Sequence, residues 1–311
     1  MTTGLVQRRR GNAGASASGS SVHGGDSTIS QGSGAPGGPM HFESSSATSP
    51  DEDVDLFDDG NDLDANKRIK LTLLEEVVLL GLKDEEGYLS WWNDNISYVL
   101  RGCILLELSF RGRIDTTKDS RRRAFPERCI EVIDRTPTGD VLLDEATRHI
   151  LSETASIADW MDYLSGETWH LLRMGYQLKQ VRERVQKSLV DKGVLRTSRT
   201  GFLLFDTATH PLSDRAAKQL VITRLVDCLM RRTIRPDRRT IALVCAAYAA
   251  NVLENALAHL PSSHKDACFL RADEILDEYG RIGDRPLAGS APGSEIMAGV
   301  LSVFGRMDSL L

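Results

Sequence analysis

The chain of 311 residues contains 41% apolar residues and carries a formal net charge of −6. It is therefore long and apolar enough to bury a sizeable core. The acidic side chains are unevenly spread: residues 1–66 hold ten of them against three arginines, whereas the remainder carries 35 basic and 34 acidic side chains. A nearly neutral body excludes a protein that binds nucleic acid over its whole surface, and we expect no nucleic-acid partner. It leaves room for a local basic patch that binds anions or anionic lipid.

The N-terminal part has the composition of a flexible arm. The first 50 residues contain 10 glycines and 11 serines, and an acidic run follows between Asp51 and Asp64. Such a segment cannot bury enough apolar surface to offset the entropy of folding. We therefore predict a disordered arm over residues 1–66 and a folded, mostly α-helical domain over residues 67–311.

Hydrophobic periodicity predicts the elements of that domain in chain order. Thr72 and Glu75 have the spacing of a capping box at the start of the first helix. The predicted helices span approximately residues 73–82, 96–110, 140–152, 156–164, 176–191, 213–232, 236–260, 263–279 and 294–310. A short strand is predicted at 129–133, and a β-hairpin at 194–205 with its turn at 198–201.

The second of these helices carries an unusual charge. Between Ile96 and Phe110 the only charged side chains are Arg101 and Glu107, and apolar residues surround the helix on nearly all sides. Such a helix is buried, so Arg101 needs an anionic partner or a position in a cleft. The sequence leaves both open. Trp92 precedes Arg101 by about two helical turns, which allows an aromatic ring and a cation to face the same opening.

Two further cations border an apolar stripe. Lys179 and Arg182 are three residues apart, so on a helix spanning 176–191 they would be neighbours. Side chains of this kind also commonly cover the edge of a core while their charged ends stay in water.

In the hairpin, the run from Phe202 to Phe205 exposes apolar side chains on both faces, so one face should contact another part of the protein, a second copy or lipid.

Motifs for catalysis or metal binding are absent from the sequence. There is no phosphate-binding GxxxxGK[ST] loop, no HExxH, no GxSxG and no zinc-like spacing of cysteine and histidine. We therefore expect no cofactor, no metal and no enzymatic activity. The five cysteines are scattered without a CxxC pair, which indicates reduced residues of the core.

Several blocks of sequence, in one order, closely resemble the Golgi phosphoprotein 3 family, including its Vps74-like fungal members. They are TLLEEVVLLGLKDEEGYLSWWND, LRGCILLEL, PTGDVLLDEA, LSGETW, YQLKQVRERV, DKGVL and FLLFDTATHPL. The resemblance implies a four-helix bundle ringed by amphipathic helices, with a protruding β-hairpin. It implies a peripheral adaptor on the cytosolic face of Golgi membranes, exchanging with the cytosol. The family's function is to bind phosphatidylinositol 4-phosphate and to link the cytosolic tails of Golgi glycosyltransferases to coatomer.

The resemblance also assigns residues. The family's lipid-binding positions fall on Trp92, Arg101, Lys179 and Arg182. Its coatomer-binding arginines fall on Arg8, Arg9 and Arg10. Its hairpin, implied to serve self-association and membrane contact, falls on Val194, Leu195, Phe202, Leu203, Leu204 and Phe205, so a homo-oligomer is expected.

Two alternatives to the adaptor make different predictions. A cytosolic helical enzyme with a cleft at Arg101 would act on a phosphorylated small molecule and bind it without a membrane. A helical scaffold without a ligand would pair Arg101 with a carboxylate of the protein itself.

Overall fold

The chain folds mainly into α-helices, as the sequence predicts. The computed structural model describes residues 70–87, 95–120, 122–168, 171–202, 205–281 and 293–308. The α-helices are α1 Leu73–Gly81, α2 Asn95–Phe110, α3 Val141–Ser152, α4 Ile157–Ser165, α5 Val181–Asp191, α6 Arg215–Leu229, α7 Arg238–Ala249, α8 Leu253–Ala256, α9 Ser262–Arg281 and α10 Ser294–Asp308. The strands are β1 Ile114–Thr116, β2 Ile130–Val132, β3 Ser198–Phe202 and β4 Phe205–Thr209.

Four helices form the centre of the fold. Helices α2 and α7 pack against each other, and each also packs against α1 and α10. All nine residues of α1 are buried, and α2 and α7 are buried over most of their length. Helices that are apolar around their whole circumference can only be stable inside other elements. The four-helix centre that the family resemblance implies is thus confirmed.

The start of α1 has the capping box that the sequence predicts. The Thr72 hydroxyl accepts a hydrogen bond from the Glu75 N–H over 3.3 Å, and the Glu75 carboxylate accepts one from the Thr72 N–H over 2.6 Å. Two of the N–H groups that a helix leaves without internal partners are satisfied in this way. A third, that of Leu73, donates to the Glu107 carboxylate of α2 over 2.8 Å, which joins two central helices.

Two small antiparallel sheets complete the described elements. Strands β1 and β2 pair with Ile114 opposite Val132, so the predicted strand near 130 exists and its partner was not predicted. Strands β3 and β4 pair with Ser198 opposite Thr209 and Phe202 opposite Phe205.

The predicted hairpin was wrong in register. The turn was expected at 198–201, but those residues belong to β3, which pairs with β4 as far as Phe202 opposite Phe205. Leu195 bridges Leu212 in the same antiparallel register, so the pairing starts in the core and continues outward. The buried pair Leu195 and Leu212 fixes this register despite the turn-forming composition of 198–201, because a slip by one residue would move the buried side chains to the other face. Leu203 and Leu204 lie outside the described residues.

One predicted helix is divided. The stretch 236–260 was expected to be continuous, but α7 ends at Ala249 and α8 begins at Leu253. Asn251 between them has a φ of 52°, a left-handed conformation that Asn adopts more readily than most residues. The Asn255 side chain donates to the Gly81 carbonyl over 3.3 Å, so the short α8 closes over the end of α1.

Two further sequence predictions and one observation concern larger parts of the chain. The predicted boundary at 66/67 lies outside the described residues, which all belong to the unit Asp53–Leu311. All five cysteines are free, and four are buried while Cys129 is half-buried. No helix among the described residues is both long and apolar enough to cross a membrane.

Candidate functional site

Arg101 is the buried cation around which the site is built. It lies in the middle of α2, with 5% of its surface exposed. Its Nη1 donates to the carbonyl oxygen of Ser97 over 2.7 Å and to the Ser97 hydroxyl over 2.9 Å. Its Nε donates to the Leu164 carbonyl over 3.2 Å, and its Nη2 donates to the Leu178 carbonyl over 2.9 Å. One guanidinium thus joins α2, the end of α4 and the loop before α5.

All four acceptors of Arg101 are neutral oxygens. The salt bridge that a ligand-free scaffold predicts is not found among the described residues. The four bonds use all but one of the five N–H groups of a guanidinium. The hydrogen-bonding needs of Arg101 are therefore largely met, but its positive charge is not cancelled by a contacting carboxylate in the described part of the chain.

The pKa of Arg101 reflects this environment. Burial lowers it to about 10, and the charge of Arg182 acts in the same direction, while Glu167 and Glu183 oppose the shift. The guanidinium is still charged at neutral pH. The influence of Arg182 also shows that the two arginines lie close enough to raise the positive potential between them.

Lys179 and Arg182 do not share a helix, so the geometry predicted for them was wrong. Helix α5 begins at Val181, and Lys179 lies exposed in the loop before it. The Leu178 N–H donates to the Leu164 carbonyl over 3.0 Å, which fixes this loop against the end of α4. The helix cannot include Lys179 because the residue between Lys179 and Val181 has a left-handed conformation. Gln180 then takes a φ of 52° before the helix begins. The residues predicted for the apolar stripe are all buried, but only three of them lie on α5; they are Leu178, which precedes the helix, and Val181, Val185 and Leu189.

The first turn of α5 adds to the positive potential. Arg182 is half-buried in that turn, and the capping residue Gln180 provides no side-chain hydrogen bond to the helix N-terminus. The aligned peptide dipoles place a partial positive charge at such an end and favour an anion there. Arg101, Lys179, Arg182 and the start of α5 are called the cationic cluster below.

Nearby carboxylates reduce the positive potential of the cationic cluster. Burial raises the pKa of Glu167, the charge of Asp162 acts in the same direction, and Arg101 opposes them. Burial likewise raises the pKa of Asp162, whose carboxylate accepts a hydrogen bond from the Tyr98 hydroxyl over 2.7 Å. Glu183 adds a further negative charge in the first turn of α5. An anion at the cluster would therefore bind closest to Lys179 and Arg182.

Sequence reasoning missed the groups that hold Arg101. Ser97 could have been found, since it lies one turn before Arg101 and serine side chains commonly bond within a turn. The Leu164 and Leu178 carbonyls carry no signal, because any residue type supplies the same main-chain oxygen.

Several predicted site residues cannot be placed in this cluster. Trp92 and the arginines Arg8, Arg9 and Arg10 lie outside the described residues. Val194 and Leu195 belong to the core rather than to the hairpin surface, because both are buried and precede β3. The main chains of Phe202 and Phe205 are the last described pair of the hairpin.

A concave region, separate from the cationic cluster, lies between the start of α1, the start of α3 and α5. Its volume is about 470 Å³. Three of the four basic side chains that line it are paired, and Lys187 is the fourth. Lys192 pairs with Glu75 at 2.6 Å, and Arg111 pairs with Glu107 at 2.8 Å. Arg184 likewise pairs with Glu145 at 2.6 Å. Because these charges are already compensated, this cavity attracts an anion less strongly than the cationic cluster does.

Comparison with known proteins identifies the family. Residues 73–291 match the family described as Golgi phosphoprotein 3 (GPP34). The chain belongs to this family. Vacuolar protein sorting-associated protein 74 of Schizosaccharomyces pombe is 44% identical over 302 residues, which cover 84% of this chain and 90% of the relative. The protein of the same name from Eremothecium gossypii is 46% identical over 279 residues, covering 78% of this chain and 84% of the relative. The matched family region contains the whole cationic cluster.

Proposed function

We propose that the protein is a peripheral adaptor of Golgi membranes that binds phosphatidylinositol 4-phosphate through the cationic cluster. Its membership of the Golgi phosphoprotein 3 family supports the Golgi assignment. The names of its relatives, which refer to vacuolar protein sorting, support a role in protein transport rather than in catalysis.

The observation that carries the lipid proposal is the environment of Arg101. A buried guanidinium held by four neutral oxygens keeps its charge, and a second arginine lies close to it. A phosphomonoester carries nearly two negative charges at neutral pH and offers three acceptor oxygens. It therefore supplies a contacting negative charge, which the described protein groups around Arg101 do not, although Glu167 and Glu183 act on it from a greater distance.

Each cation has a distinct part in the proposed complex. Lys179, which is exposed, and Arg182, at the start of α5, would donate to the phosphate, each contributing roughly 1.5 to 3 kcal/mol before desolvation. Arg101 lies behind them and would act mainly through its field and its remaining N–H. Trp92 would lie at the level of the headgroup, as aromatic residues do at membrane interfaces.

The adaptor role requires partners besides the lipid. We propose that Arg8, Arg9 and Arg10 bind coatomer, and that a separate surface binds the cytosolic tails of Golgi glycosyltransferases and so retains these enzymes. A Gly- and Ser-rich arm of some 60 residues would let the arginines reach a partner away from the membrane. Self-association through the hairpin would raise membrane affinity by avidity, because a few exposed cations bind one headgroup weakly.

The test compares Arg182→Ala with Lys187→Ala in sedimentation with phosphatidylcholine vesicles that contain phosphatidylinositol 4-phosphate. Both variants lose one positive charge from α5, but Lys187 is exposed and lies outside the cluster. We expect Arg182→Ala to lose selective binding and Lys187→Ala to keep it, with unchanged circular dichroism spectra for both. Equal binding by Arg182→Ala and the wild type would contradict the proposal.

The same preparation separates the adaptor from the enzyme alternative. Soluble inositol 1,4-bisphosphate should compete with the vesicles, while common phosphorylated metabolites should neither compete nor be turned over. Turnover of such a metabolite would favour the enzyme.

A further inference from the structure

The turn that precedes the cationic cluster exposes two consecutive leucines. A 3-10 helix spans Leu171–Tyr176, and none of its residues is buried. Leu171 is 84% exposed and Leu172 is 94% exposed, and Met174 beside them is half-exposed. Leucine side chains exposed to this degree cost free energy in water unless a partner covers them.

The base of this turn is fixed to the fold. Arg173 pairs with Glu153 at 3.1 Å, and its guanidinium lies over the Tyr163 ring, 5.0 Å from the ring centroid. Tyr176 packs edge-on against Trp160 with 5.5 Å between the ring centroids. The leucines therefore stand on an anchored turn, so covering them would require little further ordering of the backbone.

The leucines and the cations belong to one short segment. Leu178, whose carbonyl accepts the hydrogen bond from Arg101, comes two residues after the turn, and Lys179 follows directly. Arg182 lies in the next helix. An apolar turn next to cations complements a lipid surface, in which acyl chains lie beneath a layer of phosphates.

We propose that the turn inserts Leu171 and Leu172 into the lipid bilayer next to the headgroup that the cationic cluster binds. The inference rests on the proposed function and adds an apolar anchor to it. A bilayer fits better than a protein partner because the leucines lie on an anchored turn with no buried residue, and because the adjoining charges complement an anionic membrane. Lipid recognition would then consist of two parts, a headgroup site and a wedge beside it.

The experiment uses the double variant Leu171→Ser/Leu172→Ser and the control Leu270→Ser. Leu270 is 68% exposed on α9, which packs on α6, α7 and α10 and not on the turn. The full chain is titrated with soluble inositol 1,4-bisphosphate and, separately, with vesicles of phosphatidylcholine and phosphatidylserine that contain phosphatidylinositol 4-phosphate. We expect the double variant to bind the soluble headgroup like the wild type and the vesicles about tenfold to a hundredfold more weakly, which corresponds to partial burial of two leucines. Leu270→Ser should match the wild type in both titrations.

The outcomes separate the two proposals. Unchanged vesicle binding by the double variant would overturn the insertion and indicate a protein partner for the leucines. If the wild type bound neither vesicles nor soluble headgroup, the proposed function itself would fail.

A direct measurement supplements the titrations. Leu172→Cys, made in a Cys129→Ser background because the other four cysteines are buried, is labelled with an environment-sensitive fluorophore. A blue shift of emission on vesicles containing the lipid is expected. The absence of a shift while the protein sediments with those vesicles would contradict insertion.

Discussion

The Nη2 of Arg101 donates a hydrogen bond to the main-chain carbonyl of Leu178 over 2.9 Å. The two residues are 77 positions apart in sequence, and the bond connects the central helix α2 to the loop that presents Lys179. The position of the exposed cation is therefore set by a side chain of the core. This relationship means that changes at Arg101 should alter stability and lipid binding together.

Arg101→Lys should lower both the free energy of unfolding and vesicle binding. The ammonium keeps the charge but cannot bridge three elements as the planar guanidinium does. Loss of charge-assisted bonds to Leu164 and Leu178 should cost about 2 to 4 kcal/mol in urea unfolding. The exposed Arg196→Lys is the control and should change stability by less than about 0.5 kcal/mol. Equal stability of Arg101→Lys and the wild type would show that the bonds contribute nothing.

Glu107→Gln should destabilise the protein in a pH-dependent way. Glu107 is 3% exposed and accepts hydrogen bonds from the Leu73 N–H, from Arg111 and from Arg239 at 2.8 to 2.9 Å. Burial alone would raise its pKa, but the charge of Arg239, the Leu73 N–H and Arg111 together hold it below the ordinary value of 4.5. Removing this buried partner of two arginines should cost about 3 kcal/mol at neutral pH.

The sign of the pH effect follows from the lowered pKa. Ionised Glu107 stabilises the fold fully above the pKa of the unfolded state, and this contribution is lost as the pH falls through the lower pKa of the folded state. The difference in unfolding free energy between the wild type and Glu107→Gln should thus be constant near pH 7 and shrink below about pH 4.5. Glu86→Gln, at an exposed position, should show no such difference. A gap that widened in acid would contradict the assignment.

Glu167→Gln should strengthen the binding of anionic lipid. Glu167 is near enough to Arg101 for each to influence the pKa of the other, so its negative charge opposes an anion at the cationic cluster. Removing this exposed carboxylate should raise the affinity for vesicles that contain phosphatidylinositol 4-phosphate about twofold to fivefold at low salt, and less at high salt. The control Glu131→Gln removes the same charge from β2. A weaker interaction for Glu167→Gln would show that this carboxylate supports the site.

Gly166→Ala should destabilise the end of α4. Gly166 has a φ of 86°, and a Cβ there would lie 2.4 Å from the Gln177 side chain. The left-handed conformation and the crowding should together cost about 1 to 2 kcal/mol, measured as the shift of the urea midpoint. Gly175→Ala is a suitable control, because its Cβ would meet no atom within 4 Å. Equal effects of the two replacements would contradict this account of Gly166.

Elements governed by local chemistry could be predicted from the sequence. The Thr72–Glu75 capping box and the apolar stripe of α5 were found because each depends on residues within one or two turns. The start of α5 and the register of the hairpin were not, since Leu178 bonds to Leu164 and Leu195 pairs with Leu212. These contacts join elements that are distant in sequence, and no local pattern encodes them.

The candidate site, like the fold, has features that could be predicted from the sequence and features that could not. The sequence indicates that Arg101 is a buried cation, because apolar residues surround it on α2. Two of its acceptors could not be predicted, since they are the main-chain carbonyls of Leu164 and Leu178. Whether a buried arginine meets a carboxylate or neutral oxygens depends on tertiary packing.

The neutral hydrogen-bond acceptors of Arg101 have a thermodynamic consequence. A buried guanidinium that no carboxylate contacts among the described residues lowers the free energy of unfolding of the protein without ligand. Binding of an anion would raise that free energy again. The headgroup should thus act as a folding ligand. Adding inositol 1,4-bisphosphate should raise the melting temperature in proportion to the logarithm of its concentration, and this rise should be lost in Arg182→Ala. The melting temperature then reports occupancy of the site without a membrane and without a label.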